Sequence, residues 1–337
     1  MENEKKPFLS VRDLVIEYSS DEKVIHAVNG VSFDLERGKT LGLVGETGAG
    51  KTSIAKAILR VLPDPPAKIA GGEITFDGQD ILSLSNDELR KIRGKRISMV
   101  FQDPMTALNP TMRIGQQIAA VIKQHNSGMS KREAREQATR MLEMVGIPGE
   151  RYREYPHQFS GGMKQRVVIA IALACSPDLL LADEPTTALD VTIQAQVLDM
   201  MTELKNEKNT SMILITHDLG IVAETCDDVA VVYAGEIIES GSREEIFEHA
   251  AHPYTLGLFG SLPDMSEGAD MLEPIAGMPP DPSELPDGCS FHPRCPRAVE
   301  QCRSGKMAMT SLGGTHQCRC CRVGEGKEER NGADADC

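Results

Sequence analysis

The feature that most constrains the fold is a glycine-rich loop placed between a predicted strand and a predicted helix. The loop, residues 45–52, reads Gly-Glu-Thr-Gly-Ala-Gly-Lys-Thr. Residues 41–44 before it form a short apolar run typical of a buried strand, and residues 53–62 after it carry apolar side chains at helical spacing. Glycines let a backbone wrap closely around phosphates, and free N–H groups at a helix start point towards the anion. The sequence therefore predicts an α/β fold that binds a nucleoside triphosphate.

The loop and the serine that follows it form the predicted nucleotide-binding set. Lys51 is expected to reach the β- and γ-phosphates, and the Thr52 hydroxyl is expected to ligate Mg²⁺. The full set is Gly45, Glu46, Thr47, Gly48, Ala49, Gly50, Lys51, Thr52 and Ser53.

A second apolar run ends in two carboxylates. Residues 178–182 read as a buried strand, and Asp183 and Glu184 follow at its carboxyl end. Asp183 is placed to hold Mg²⁺ beside a phosphate loop, and Glu184 is placed to act as the general base on the attacking water. A buried strand with an acidic helix cap would look the same in isolation. The phosphate loop in the same chain favours the ATP-site interpretation.

A second glycine turn precedes an apolar helix. Residues 159–166 read Phe-Ser-Gly-Gly-Met-Lys-Gln-Arg. Ser160, Gly161 and Gly162 at this helix start predict another anion-binding position. Ser160 is also a predicted helix N-cap, and capping does not exclude phosphate binding.

The order of predicted elements supports an α/β domain with a parallel core. Residues 9–18 and 26–36 alternate apolar and polar side chains, as in a half-exposed antiparallel sheet. Three further runs have the composition of buried parallel strands: residues 97–101, 178–183 and 211–216. Three amphipathic stretches predict helices: residues 113–125, 130–145 and 191–208. Strands and helices alternate through about the first 250 residues.

The rest of the chain changes character. Residues 228–241 predict a hairpin, and residues 262–287 contain six prolines and no periodicity, which predicts a linker or extended loop. A cysteine-rich segment follows. The polar residues 324–337 are expected to be a disordered tail.

Charge and hydropathy exclude several classes of function. The 36 Lys and Arg residues against 50 Asp and Glu leave a net charge of -14, which argues against nucleic acid as the main partner. The longest apolar run, nine residues at 167–175, is too short to span a bilayer, which takes about twenty. The first residues lack the apolar core of a signal peptide. We therefore expect a cytosolic chain.

The ordered motifs resemble the ATP-binding subunit of ABC transporters over roughly residues 8–250. The resemblance rests on the phosphate loop, Gln102, the turn at 159–163, Asp183-Glu184, the segment 188–190 and His217. It implies a P-loop ABC ATPase core at residues 1–250. That core would have an antiparallel β subdomain and a helical subdomain at about 103–165.

The resemblance also implies roles for individual residues. Two such domains would pair head to tail, so that Ser160 and Gly162 touch the γ-phosphate held by the partner. Gln102 and His217 would be catalytic together with Lys51 and Glu184, Gln102 linking the Mg²⁺ site to the helical subdomain and His217 contacting the γ-phosphate in its own chain. Tyr18 lies where the family places an aromatic ring against adenine, although an ordinary strand aromatic is the alternative.

Six cysteines lie close together near the end of the chain: Cys289, Cys295, Cys302, Cys318, Cys320 and Cys321. Cysteine this dense in a reducing compartment favours zinc or an iron–sulfur cluster over core filling. The spacing lacks the close CxxC pairs usual for zinc fingers, which weakens the zinc interpretation.

A narrower resemblance covers residues 251–323. The segments at 252–255 and 286–296 resemble the C-terminal module of oligopeptide and dipeptide importer ATPases. That resemblance implies a [4Fe–4S] cluster on Cys289, Cys295, Cys302 and Cys318, with Cys320 and Cys321 as alternatives for the fourth position. A structural staple is favoured over a redox or iron sensor, because so proline-rich a segment buries little core of its own.

The two resemblances together imply a function. The chain would be the first ATPase of a di- or oligopeptide importer, on the cytoplasmic face of the membrane. It would act with a second ABC ATPase, as a heterodimer, with two transmembrane permease subunits and indirectly with an external substrate-binding protein. The alternatives are the same role in a nickel or other small-solute importer, a soluble ABC ATPase acting on DNA or ribosomes, and a redox-sensing module that retains ATP binding.

Overall fold

The computed structural model describes residues 6–20, 23–186, 191–261 and 275–323. Both the motif segment 188–190 and the predicted tail 324–337 lie outside the described residues. The described chain forms two β-sheets with helices packed between and around them. Within these ranges no helix combines the length and apolar character needed to cross a bilayer.

The strands are, in chain order, β1 Leu9–Ser19, β2 Val24–Leu35, β3 Thr40–Val44, β4 Ala67–Phe76, β5 Gln79–Asp80, β6 Ile97–Val100, β7 Leu179–Asp183, β8 Ser211–Thr216, β9 Asp228–Tyr233, β10 Glu236–Ser242, β11 Thr310–Gly313 and β12 His316–Cys318. The α-helices are α1 Lys51–Ile58, α2 Asn86–Ile92, α3 Pro104–Ala107, α4 Ile114–His125, α5 Lys131–Met144, α6 Gly161–Leu173, α7 Val191–Lys208, α8 Leu219–Thr225, α9 Arg243–His249 and α10 Pro253–Gly260.

The larger sheet has the strand order β11-β12-β10-β9-β3-β8-β7-β6. Its centre is parallel: β3 pairs with β8 and β9, and β7 pairs with β6 and β8. Every residue of β3, β6, β7 and β8 is buried, as the continuous apolar runs predicted. The predicted parallel core is confirmed, and it brings the ends of β3, β7 and β8 to one edge of the sheet.

The smaller sheet is antiparallel and has the order β2-β1-β4-β5. The two antiparallel strands predicted near the start of the chain are confirmed, and they pair with each other, with Tyr18 opposite Ile25. Strand β4 has no counterpart in the sequence prediction. It carries Gly71 and Gly72 in its middle, and Gly72 adopts a left-handed φ of 98° where the register with β1 shifts.

Alternate residues of the central strands enter two separate cores. Leu180 of β7 and Met212 of β8 face the core that includes α4, α5 and α6. Leu181 and Ile213 face the opposite core, which includes α1 and the antiparallel sheet. The large sheet is therefore covered on both faces, as a parallel sheet requires.

Helix starts follow local capping chemistry. Ser130 begins α5 with a capping box to Glu133, and Ser242 begins α9 with one to Glu245. Helices predicted at 113–125, 130–145 and 191–208 are confirmed to within a residue or two at each end.

The C-terminal residues join the large sheet. Strand β10 follows the predicted hairpin turn and pairs with β12, with Glu239 opposite Cys318. The β11–β12 hairpin thus continues the sheet at the edge beyond β10. This pairing was not predicted from the sequence.

Candidate nucleotide site and cysteine cavity

The phosphate loop follows β3 and leads into α1, as predicted. Gly45 has a φ of 149° and Gly50, the N-cap of α1, has a φ of 99°. A β-carbon at either glycine would collide with a backbone carbonyl, Val232 O at Gly45 and Ala27 O at Gly50. Neighbouring strands pack so closely against the loop that only glycine fits at these two positions.

Lys51 lies beneath the loop and is 5% exposed. Its ammonium donates to the carbonyl oxygens of Gly45 at 2.7 Å and Glu46 at 2.9 Å. Burial lowers the pKa of Lys51, and the carboxylates of Glu184, Asp183 and Glu46 oppose that shift. A phosphate in the loop would offer this ammonium charged acceptors in place of neutral carbonyls.

The Thr52 hydroxyl donates to Asp183 at 2.9 Å. Asp183 ends β7 and is 2% exposed, and burial raises its pKa. A hydroxyl and a carboxylate side by side are the hard oxygen ligands that Mg²⁺ prefers. The structure thus brings together the two protein ligands predicted for the ion, from residues 131 positions apart.

Glu184 follows Asp183 in a left-handed conformation, with a φ of 45°. Its carboxylate accepts from Gln102 Nε2 at 2.7 Å and lies 3.5 Å from His217 Nδ1. A non-glycine residue in this region costs about 1–3 kcal/mol, and such strain concentrates at functional sites. Three of the four predicted catalytic side chains, those of Gln102, Glu184 and His217, therefore meet at the carboxyl ends of β6, β7 and β8.

Tyr18 and the second glycine turn have distinct surroundings. The Tyr18 hydroxyl lies 3.0 Å from Ser53 Oγ, which places the tyrosine beside the start of α1. Ser160 caps α6 by accepting from Met163 N at 3.4 Å, as predicted. A β-carbon built on Gly161 meets no atom within 4 Å. The start of α6 is open to a partner.

Two residues near the phosphate loop were missed by the sequence analysis. Tyr254 Oη accepts from the backbone N–H of Glu46, and Arg294 pairs with the Glu46 carboxylate. Both lie in the C-terminal segments that resemble importer ATPases. That resemblance did not predict that either residue contacts the phosphate loop.

Five cysteines line one small, mostly apolar cavity. The lining comprises His252, Pro253, Cys289, Phe291, His292, Cys295, Arg297, Cys302, Met307, Cys320, Cys321 and Arg322. Burial, reinforced by the neighbouring cysteines, raises the pKa of Cys289 to about 11. Cys318 is fully buried on β12 and is absent from this lining. The structure thus gathers three of the four predicted ligands, with Cys320 and Cys321 beside them.

The cysteine arrangement does not suit a single metal ion. In the described ranges, no three His, Cys, Asp or Glu side chains converge closely enough to hold one. The Sγ atoms of Cys302 and Cys321 lie 3.4 Å apart. A four-iron cluster spreads its thiolates more widely than one ion does, and thiolates are the soft ligands it takes. Within the described residues the five cysteines share one cavity without forming a site for a single ion.

Comparison with known proteins decides the family. Residues 28–187 match the family described as ABC transporter, and residues 238–302 match the family described as oligopeptide/dipeptide transporter, C-terminal region. The dipeptide transport ATP-binding protein DppD of Bacillus subtilis is 49% identical over 314 residues, which cover 93% of each chain. The chain belongs to the ABC transporter family. The activity of this ABC protein is accordingly ATP hydrolysis.

Other relatives agree with this ABC assignment. The oligopeptide transport ATP-binding protein OppD of Salmonella typhimurium is 50% identical over 299 residues, 88% of each chain. Among solved structures, a dimeric ATP-binding cassette named MJ0796, in a post-hydrolysis state with ADP and phosphate, matches with a TM-score of 0.64 and 28% identity. That match covers 70% of this ABC protein and 98% of the cassette.

Proposed function

We propose that this chain is the ATP-hydrolysing subunit of an importer for di- or oligopeptides. The observation that carries the catalytic part is the convergence of Lys51, the Thr52–Asp183 pair and Glu184 at one edge of the parallel sheet. The names of the most similar relatives, which transport dipeptides and oligopeptides, support the cargo class. A nickel or other small-solute importer is the alternative.

ATP would bind with its phosphates in the loop at 45–52. The loop N–H groups and Lys51 would hold the β- and γ-phosphates, and Tyr18 would stack on adenine. Thr52 and Asp183, with Gln102 alongside, would hold Mg²⁺, which neutralises charge on the phosphate oxygens when bound.

Hydrolysis would begin at Glu184. Its carboxylate would accept a proton from the attacking water, and the contact with Gln102 would fix one of its oxygens. His217, whose side chain is 58% exposed, can turn from Glu184 to the γ-phosphate.

The second half of the site would come from another ATPase subunit. Ser160, Gly161 and Gly162 lie at the open N-terminus of α6, a thirteen-residue helix whose N–H groups suit a γ-phosphate. We propose a heterodimer with a related ATPase, two permease subunits and, indirectly, an external binding protein. The chain would then act at the cytoplasmic face of the membrane. The nucleotide-binding domain at 1–250, with its helical part at about 103–165, would transmit closure to the permeases.

The C-terminal module at 251–323 would hold a [4Fe–4S] cluster. Cys289, Cys295 and Cys302 would supply three ligands, and we propose Cys320 or Cys321 in the fourth position because both line the cavity and Cys318 does not. The cluster would supply covalent cross-links between segments that bury little core of their own.

ATP turnover by the full chain with its partner subunits tests the catalytic proposal. Glu184→Gln is expected to bind MgATP and to lose turnover, since the amide cannot accept the proton. Glu207→Gln, at an exposed position on α7, is the matched control and should retain turnover. Normal turnover in Glu184→Gln would refute the assigned base.

Iron and sulfide counts test the cluster. Anaerobically purified chain should contain about four irons and four sulfides. One of the two variants Cys320→Ser and Cys321→Ser should lose most of that iron, and Cys318→Ser should retain it. The reverse pattern would return the fourth ligand to Cys318, and zinc or no metal would exclude the cluster.

A further inference from the structure

The C-terminal module contacts the phosphate loop through an ion pair. Arg294 Nη1 donates to Glu46 Oε2 at 2.8 Å, and Nη2 donates to Oε1 at 3.0 Å. The Arg294 side chain is 5% exposed, and Nε also donates to Ala276 O at 3.0 Å. This parallel, two-bond geometry is the strongest arrangement that an arginine and a carboxylate form. It joins residues 248 positions apart.

The backbone of Glu46 is also held by a residue of the C-terminal module. Its N–H donates to Tyr254 Oη at 2.9 Å. Tyr254 is fully buried, and its ring centroid lies 4.6 Å from that of Tyr233 and 5.4 Å from that of Phe291. The second residue of the phosphate loop is thus fixed through both its main chain and its side chain by residues outside the loop.

Glu46 places a negative charge inside a loop that must receive a triphosphate. That carboxylate also interacts electrostatically with Lys51, the residue expected to reach the phosphates. An unpaired carboxylate here would repel the ligand and compete for the lysine. Arg294 pairs with the carboxylate and balances its charge.

Arg294 is itself fixed by the cysteine cavity. It ends the short helix His292–Arg294, and Cys295, the next residue, lines the cavity. Arg294 N and Cys295 N both donate within this turn, to Phe291 O at 3.0 Å and His292 O at 3.3 Å. The position of the guanidinium therefore depends on the fold around the cysteines.

We propose that Arg294 is a positioning residue for the phosphate loop, through which the C-terminal module sets the affinity for MgATP. The proposal rests on the proposed function, in that ATP is taken to bind at residues 45–52. It adds a route by which loss of the cysteine-rich fold weakens nucleotide binding without any change in the loop.

The test measures MgATP affinity by calorimetry on the full chain and its variants. Arg294→Gln leaves the Glu46 charge unbalanced, and we expect affinity to fall about 10- to 100-fold, the loss of a charged hydrogen-bonded pair. Arg294→Lys keeps the charge and should recover part of the loss. Arg303→Gln, at a residue of the same module whose side chain is 62% exposed, is the matched control and should bind normally.

The deciding variant is the double substitution Glu46→Gln with Arg294→Gln. Removing the unbalanced carboxylate should restore MgATP affinity to within a few-fold of the wild type. A purely structural role for Arg294 predicts no such rescue. Wild-type affinity in Arg294→Gln, or an unrescued loss in the double variant, would overturn the proposal. Lys51→Ala distinguishes a failure of the proposed ATP site from a failure of the role given to Arg294. If the wild type does not bind MgATP, or if Lys51→Ala binds MgATP as tightly as the wild type, the proposed function fails instead.

Discussion

Glu239 on β10 is predicted to hold both the C-terminal hairpin and the residues just before α10 against β10. Its side chain is fully buried and accepts three hydrogen bonds: from Ala251 N at 2.6 Å, His252 N at 3.0 Å and His316 Nε2 at 2.8 Å. A carboxylate can only accept, so all three donors are satisfied by its two oxygens. Glu239→Gln replaces one oxygen by an NH₂ group that faces a donor.

The expected cost follows from these contacts. One buried donor is left without a partner, which costs about 1–3 kcal/mol, and the other two bonds lose their charge assistance, at about 1 kcal/mol each. The total is about 3–5 kcal/mol. His316→Leu leaves the carboxylate with both backbone amides and should cost less, about 1–3 kcal/mol.

Amide hydrogen exchange, followed by mass spectrometry, measures how readily each segment of the chain opens. In Glu239→Gln, exchange in β11, in β12 and around Ala251 and His252 should accelerate. Where all three contacts open together, the acceleration should reach roughly two to three and a half orders of magnitude, since each 1.4 kcal/mol is about tenfold. Exchange in β7 and β8 should change far less. Glu244→Gln, at an exposed glutamate on α9, is the control and should leave exchange unaltered. Unchanged exchange of these segments in Glu239→Gln, or a larger effect of His316→Leu around Ala251 and His252, would refute the reasoning.

Three further outcomes are expected. Tyr18→Ala should raise the KM for ATP several-fold with little change in kcat, because stacking contributes to binding alone; a fall in kcat at unchanged KM would contradict the adenine role. His217→Ala should lower kcat of the assembled ATPase about 10²-fold or more, with ATP binding retained; steady-state assays beside calorimetry would show this, and unaltered kcat would remove His217 from the site. Gly161→Ala should unfold at the wild-type temperature, since no atom lies within 4 Å of the added carbon. The variant should nevertheless lose turnover, because the methyl group obstructs the nucleotide held by the partner subunit. Full turnover would contradict an interface at the start of α6.

The parts of the site that lie within one strand–loop–helix unit were predictable. Lys51 and Thr52 follow from the loop itself, and Asp183 and Glu184 follow from their place at the end of an apolar strand. Once the parallel sheet is inferred, residues that directly follow its strands must lie at its carboxyl edge. Their mutual contacts, such as Thr52 with Asp183, then follow from neighbouring strand ends.

Pairings between distant segments were not predictable in the same way. Arg294 and Glu46 are ordinary charged residues separately, and no periodicity links them across 248 positions. The choice among Cys318, Cys320 and Cys321 depends on β12 pairing with β10, which buries Cys318 beside Glu239 before the chain turns towards the cavity. Strand β4 was not predicted, because its central glycines interrupt the residue pattern typical of a strand.

Peptide uptake by the reconstituted importer tests the central claim most directly. The full chain, its partner ATPase, the permeases and the binding protein would be assembled in liposomes, with MgATP on the side of the ATPases and labelled peptide on the other. We predict uptake that requires ATP and is abolished by Glu184→Gln although that variant still binds MgATP. Uptake that persists in Glu184→Gln, or ATP-driven uptake of nickel with none of peptide, would contradict the account.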